Sequence, residues 1–316
     1  MTFHKPLAGW VIQLAAVFFL LLGSFFLQGC VPASRAPGIK GMPSSAAADR
    51  ILSATRRQPV SFQQMIGDLQ KVKVVYIGER HTDPRHHRIQ LRILKALYRS
   101  HPRLSVGMEM FDTTYQPVLD RWSKGELDRQ TFLRLTHWYA NWKFDYKLYA
   151  DILDFIKARH IHLVALNVPF YIPPKISTGG IDSLSAQDRR YLPDKIDLHN
   201  RAHRAYLKRI FSFHHIKGRT SFEYFYEAQC VWEDAMAQAV ADSLGQNPMV
   251  VLAGNGHIIH KFGIPERAFV RTGAPFRTVY LAASGEHTDF SFADYIWLIK
   301  GATIKSEPVQ QARASL

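Results

Sequence analysis

Cysteine is nearly missing from this chain of 316 residues: there are two, Cys30 and Cys230. A disulfide-stapled scaffold is thereby excluded, and stability has to come from a buried core, for which an apolar share of 47% is ample at this length. Acidic residues are also scarce, 26 against 40 Lys and Arg, giving a formal charge of +14. Such an excess suits nucleic acid, anionic lipid or an acidic ligand, but the bases are scattered, and a solvated surface lying over anionic headgroups is the simpler reading. No internal repeat is present, which excludes a solenoid.

What is present first is a leader. Lys5 supplies a basic start, Trp10 to Phe26 is almost continuously apolar, and Leu27-Gln28-Gly29-Cys30 follows. Residues 1–29 therefore read as a secretory signal. The last four residues resemble a bacterial lipobox, which implies cleavage before Cys30 and a lipid on its sulfur, although Gln28 departs from the usual residue at its position. The alternative is a transmembrane anchor, whose apolar stretch would be near the lower limit of about 17 residues. Once Cys30 is lipidated, Cys230 has no partner. Val31 is not the aspartate that favours inner-membrane retention, so the outer membrane is the expected location. Nucleic acid is the least apt partner for an exported, lipid-anchored chain. Pro, Gly, Ser and Ala dominate residues 31–48, the mark of a flexible tether, expected to span 30–55.

Five short apolar runs read as buried strands: KVVYIG (73–78), LSVGMEM (104–110), HLVALNV (162–168), MVVLAGN (249–255) and RTVYLAA (277–283). They are continuous instead of alternating, as strands covered on both faces are. Helical patterns separate most of them, which predicts an α/β fold with a mainly parallel sheet flanked by helices. Asp83 is placed to cap a helix, with Pro84 at its first position and Ile89, Ile93 and Leu97 along one face to about Tyr98. Thr220 and Glu223 have the spacing of a capping box for a second helix, whose stripe of Phe225, Trp232, Met236 and Val240 includes the polar Gln229. The aromatic-rich stretch between the second and third strands is longer than a simple crossover needs. It predicts a smaller helical insertion at about 112–160, and residues 170–219 look like a second one. The folded domain is expected over 56–300, with a tail at 301–316.

Polar groups gather at three of these strand ends: Glu79 and His81 after the first, Glu109 at the second, and Gly254-Asn255-Gly256-His257 after the fourth. Ligands of an open parallel sheet bind beyond the carboxyl ends of its strands, so these distant positions can converge in one crevice. A single strand-end His or Glu is more often a hydrogen-bonded structural group; four at the same end argue for a site. His81 precedes the predicted helix start, where free N–H groups and the dipole favour a carboxylate, phosphate or propionate. His86 and His87 fall in the first turn, where one could face the crevice or both could be exposed.

Six blocks occur in order between about residues 60 and 285: VVYIGERHTDPRHHRIQLRIL, GMEMFDTTYQPVLD, TFLRLTHWYANWKFDYKLYADIL, VALNVP, EAQCVWEDAMAQAV and VVLAGNGHIIHKFGIPERA. Together they resemble the ChaN-like haem-binding lipoproteins. The resemblance implies a non-enzymatic role in haem and iron handling at the cell envelope, with an outer-membrane haem receptor as a partner. It also implies a homodimer that holds haem at its interface, a tyrosine on the iron and His and Lys of the neighbouring subunit on the propionates. Tyr115, Tyr146 and Tyr149 lie in matching blocks and are the candidate ligands; Tyr139 and Tyr171 stand behind them. A phenolate suits ferric iron, Trp138, Trp142 and Phe144 could cover a porphyrin face, and His81, His86, His87 and His257 are candidate partners for the acidic groups. The plain alternative for the aromatic run is helix-packing core.

The chain is also similar, more distantly, to the TIKI and TraB group and to erythromycin esterase-like hydrolases. Two G-x-x-H motifs and an intervening glutamate carry that similarity: Gly78 to His81, Glu109, and Gly254 to His257. It implies an alternative in which His81, Glu109 and His257 hold a divalent metal ion for hydrolysis, with Glu79 beside them. In a metal-free form of the same alternative, Glu79 and His81 act as acid and base.

Overall fold

The first buried side chains come earlier than the tether reading allows. The computed structural model describes residues 49–213 and 221–304, and its chain begins with β1 (Arg50–Ser53) and β2 (Gln58–Val60), an antiparallel pair in which Leu52 is fully buried. The tether expected over 30–55 is therefore too long, and the folded domain starts before residue 56. The leader, Cys30 and residues 31–48 lie outside the described residues.

After α1 (Phe62–Leu69) comes β3 (Val74–Glu79), buried along its whole length. At the start of α2 (Pro84–Ser100), Asp83 accepts from the Arg85 N–H at 2.9 Å, and Pro84 takes the position where no N–H is needed. β4 (Ser105–Asp112) leads into the helical excursion of α3 (Gln116–Ser123), α4 (Arg129–Leu135), α5 (Trp138–Asn141) and α6 (Ala150–Ala158), which returns to β5 (His162–Asn167). α7 (Ile172–Gly179) and α8 (Arg201–Phe213) make up the second excursion. The next helix, α9 (Phe222–Ser243), is capped by Ser221, whose hydroxyl accepts from the Tyr224 N–H. Thr220, expected as that cap, lies outside the described residues, and Glu223 pairs with Arg204 instead.

β6 (Met249–Gly254), α10 (Ile264–Thr272), β7 (Phe276–Ala282), β8 (His287–Thr288), β9 (Tyr295–Leu298) and β10 (Thr303–Ile304) complete the described chain. β10 pairs with β8, so the stretch expected as a tail from 301 contains a paired strand. The main sheet has the order β2-β1-β9-β7-β3-β6-β4-β5. Its strands from β9 to β5 are parallel, and β1 is antiparallel to both neighbours. This is the α/β fold the apolar runs predict. Along β3, Val75 and Ile77 pack with Ile89 and Ile93 of α2, whereas Val74 and Tyr76 pack with Met236 and Val240 of α9. No helix among the described residues is long and apolar enough to cross a membrane.

The strand order positions the site. β6 lies between β3 and β4, and its register sets Gly254 beside Glu79. The three strand ends singled out in the sequence are thus adjacent in space.

If β1 is an integral strand, Leu52→Ala should cost about 2–5 kcal/mol, the usual range for a buried leucine. Urea unfolding measures it; a midpoint equal to wild type would mean that residues 50–53 are dispensable.

Candidate functional site

Glu79 follows Val75 and Ile77 on the α2 face of the sheet, and its carboxylate is enclosed on every side. His81 Nδ1 stands 2.8 Å from Glu79 Oε1, which also accepts from the Tyr149 hydroxyl at 2.8 Å. His87 Nδ1 lies 3.1 Å from the other oxygen, and His87 Nε2 lies 3.1 Å from the His81 carbonyl. A second group forms on the α9 face. Glu109 Oε2 accepts from the Gly254 N–H at 2.6 Å, and its Oε1 is 3.4 Å from His257 Nε2. His257 Nδ1 is 3.4 Å from Glu233 Oε1, to which Gln229 donates at 2.7 Å. The remaining oxygen of Glu233 faces His203 at 3.4 Å and Arg267 at 3.6 Å.

Gly254 lets the two groups meet. A Cβ there would stand 3.0 Å from His81 Cε1 and 3.2 Å from its Nε2, tighter than ordinary contact, so a larger residue would push the ring back from the end of β6. The structure therefore brings Glu79, His81, Glu109 and His257 together at one end of the sheet.

Burial opposes every charge here, and pairing outweighs it. Burial would raise the Glu79 carboxyl, but its contacts with His81 and His87 hold it down at about 2. Burial would lower His257, but Glu109 and Glu233 raise it to about 10. His81 and His87 are likewise raised against burial by Glu79. His86 goes the other way: burial lowers it to about 4, and its Nδ1 accepts from the Arg80 N–H at 2.7 Å. His86 and His87 are both buried, which corrects the picture of exposed residues on the first turn. The anion expected at the start of α2 is the chain's own Asp83, held by the Arg85 N–H and guanidinium.

Beside this cluster opens a cleft of about 580 Å³. Two of its walls touch the cluster: the Trp142 ring is 4.8 Å from His81, and Trp232 is 5.0 Å from His257, centroid to centroid. Tyr115 lines the cleft, and Asn141 Nδ2 donates to its phenol oxygen at 2.9 Å. Tyr171, 49% exposed, lines it too. Tyr146 and Tyr149 are not among its lining residues. Both are buried, burial pushes both phenols far above their usual range, and Tyr149 already donates to Glu79. Of the three tyrosines read from the sequence as candidate ligands, Tyr115 is the one that lines this cleft. Trp138 packs in the core against Phe111, Tyr146 and Tyr149, whereas Phe144 lies 5.0 Å from the His81 ring.

A flat, aromatic, acidic ligand fits this donor set: aromatic faces, a reachable phenol and the exposed Lys143. A divalent cation does not. Among the described residues no three His, Cys, Asp or Glu side chains are arranged to hold one. His81, Glu109 and His257 come together, but Glu109 is directed at the Gly254 N–H and His257, and His257 has a carboxylate at each nitrogen. The metal-dependent alternative is set aside on that arrangement.

Sequence reasoning missed Glu233, His203 and Arg267 as members of the charged cluster and Asp112 as a lining residue of the cleft. Gln229 was the available signal, because a polar residue inside the apolar stripe of α9 needs a buried partner, and Glu233 lies one turn further on.

A family model described as haem-binding uptake, Tiki superfamily, ChaN matches residues 65–268. The chain belongs to this family. It is the family that the six sequence blocks resemble. A solved structure titled cofacial heme binding to ChaN of Campylobacter jejuni is similar at a TM-score of 0.66 and 22% identity, over 80% of this chain and 97% of that one. At that identity the likeness speaks for the fold. An erythromycin esterase mutant, EreC, in its open conformation matches at a TM-score of 0.46 and 12% identity, over 80% of this chain and 83% of that one, too loosely to bear on function. No curated protein matches.

The paired charges set a pH window. Glu79, depressed from 4.5 to about 2, contributes stability above pH 4.5 that is lost as pH falls towards 2. His257, raised from 6.5 to about 10, contributes stability below pH 6.5 that is lost as pH rises towards 10. Glu79→Gln should flatten the acid limb and His257→Gln the alkaline limb of urea midpoints plotted against pH. Slopes unchanged from wild type would show that these groups are not paired in solution.

Proposed function

We propose that this protein binds haem in the cleft of Tyr115, Trp142 and Tyr171 and handles it for iron uptake at the bacterial envelope, without catalysing a reaction. Within a haem-binding uptake family, one observation carries the choice of site. The Tyr115 phenol stands on the wall of an aromatic cleft with its oxygen oriented by a hydrogen bond from Asn141, and an accessible phenol oxygen is a ligand suited to ferric iron. The exposed ammonium of Lys143 suits a propionate. The volume of about 580 Å³ falls within the ~300–1,000 Å³ of ordinary ligand sites. A lipid on Cys30 and the tether after it would hold the domain at the outer membrane, where a homodimer and a haem receptor are its expected partners.

Titrating protein that lacks the leader with haemin should give a saturable Soret band at fixed stoichiometry. Tyr115→Phe should shift that band and weaken binding at least about tenfold, whereas Tyr149→Phe, which loses a bond to Glu79, should lower stability more than affinity. Unsaturable partitioning would end the haem reading, and a Tyr115→Phe titration identical to wild type would remove that residue as the ligand.

A second reading rests on His81. Its side chain is partly exposed while its partner Glu79 is wholly buried, the arrangement of a base held in place by a carboxylate. This reading expects hydrolysis of model esters that chelators leave unchanged and His81→Ala abolishes; absence of turnover in wild type would dismiss it.

A further inference from the structure

The bases are scattered along the sequence, but α2 collects some of them on one face. Its 17 residues include no Asp or Glu, and its exposed side chains, Pro84 and Ser100 apart, are Arg88, Arg92, Lys95 and Arg99. Steps of four, three and four residues align these bases along roughly 16 Å of helix axis. Acids on the neighbouring elements are engaged elsewhere: Asp83 holds Arg85, Asp154 holds Arg129 and Asp68 holds Arg277. Asp145 and Asp151 share a small hollow with Arg88, so the stripe is barest from Arg92 to Arg99.

Rings support these bases where carboxylates do not. The Arg92 guanidinium carbon is 4.2 Å from the ring centroid of Phe62 in α1 and 5.5 Å from that of Trp297 in β9, and the Lys95 ammonium is 5.5 Å from that of Phe155 in α6. A ring steadies a cation without cancelling its charge. Like charges three and four residues apart destabilise a helix, and α6 avoids the problem by setting Asp151 and Asp154 against Lys157. The core contacts of α2 are made by Ile89, Ile93 and Leu97, so the charge on its outer face is surplus to the fold.

We propose that this face of α2 docks on the anionic lipid headgroups of a membrane surface. Charge complementarity names the partner: the phosphates of an anionic bilayer form a continuous negative sheet, which a row of bases meets in any register. A protein partner suits the face less, because stable interfaces are built around apolar or aromatic anchors. The exposed large apolar side chains of the described residues, Tyr139, Tyr171, Tyr224, Phe269 and Val270, all lie off α1, α2 and α6. The inference does not depend on the haem reading. With α2 flat against the headgroups, the strand ends near its N-terminus and the cleft beside them open along the membrane plane.

Protein beginning at Val31 keeps every core residue described above and carries no lipid, so it isolates the contribution of this face. Co-sedimentation with vesicles should show binding that requires phosphatidylglycerol, is absent with phosphatidylcholine alone, and weakens as salt is raised. Changing Arg88, Arg92, Lys95 and Arg99 together to Gln should weaken it on the order of a hundredfold, since each base close to an anionic surface contributes roughly fivefold. The double variant Arg88→Gln/Arg99→Gln leaves the ring-held bases and their packing in place and should lose about tenfold. A control in which the exposed Lys124, Arg134, Arg190 and Lys300 become Gln removes the same charge from other surfaces and should lose less than about threefold. An equal loss in the control would mean that only net charge matters and would overturn the inference, as would wild type that ignores phosphatidylglycerol. Duplex DNA that binds wild type as tightly as the anionic vesicles, and loses as much in the quadruple variant, would make the stripe a general polyanion surface and overturn the membrane assignment.

Discussion

A carboxylate at the end of a fully buried strand cannot ionise against water, so it must find its counter-charges in the chain. Glu79 finds them in His81 and His87 and a further donor in Tyr149, which come from the loop after β3, the first turn of α2 and the start of α6. Each partner is held by something else: His87 by the His81 carbonyl, Tyr149 by rings of Trp138 and Trp142. One ion therefore fixes the end of the sheet, the entry to α2 and the return of the helical excursion relative to one another. Breaking a buried pair costs more than the pair itself contributes, because a bare charge is left behind. The cleft walls inherit this rigidity through Trp142, which touches His81.

The charged cluster and the cleft have different work. In the cluster the polar atoms are mostly matched by other protein atoms, which leaves little free valence for a guest and much resistance to deformation. The cleft is lined instead by aromatic faces with a few polar side chains among them, the usual composition of a ligand site. A rigid polar floor that braces an aromatic wall suits a flat ligand, since side chains fixed by a packed support lose less entropy on binding.

The central strands were legible because a strand buried on both faces is apolar along its middle, and those from Val74, Ser105, His162, Met249 and Phe276 are, with their polar residues towards the ends. β1, β2 and β9 were not, because three or four residues such as Tyr295–Leu298 offer no period to read and their place is set by antiparallel or edge pairing with distant segments. The cap of α9 slipped by one residue because Thr220 and Ser221 are adjacent hydroxyls. Convergence of the strand ends could be foreseen from the topology of parallel sheets. Which tyrosine faces the cleft could not, since Tyr146 and Tyr149 differ from Tyr115 only in which way a helical excursion turns them. Nor do G-x-x-H spacings say where an imidazole's lone pair points; here carboxylates take both nitrogens of His257.

β4 shows how one strand can serve both regions. Glu109 and Asp112 are three residues apart, and between Met108 and Asp112 the register with β5 shifts, bringing Asp112 opposite Asn167. Irregularities of this kind re-aim side chains at the ends of strands. Here the shift separates two carboxylates of almost the same sequence neighbourhood. Glu109 stays within the paired network with His257 and the Gly254 N–H, while Asp112 joins the lining of the cleft and caps the turn that carries Tyr115.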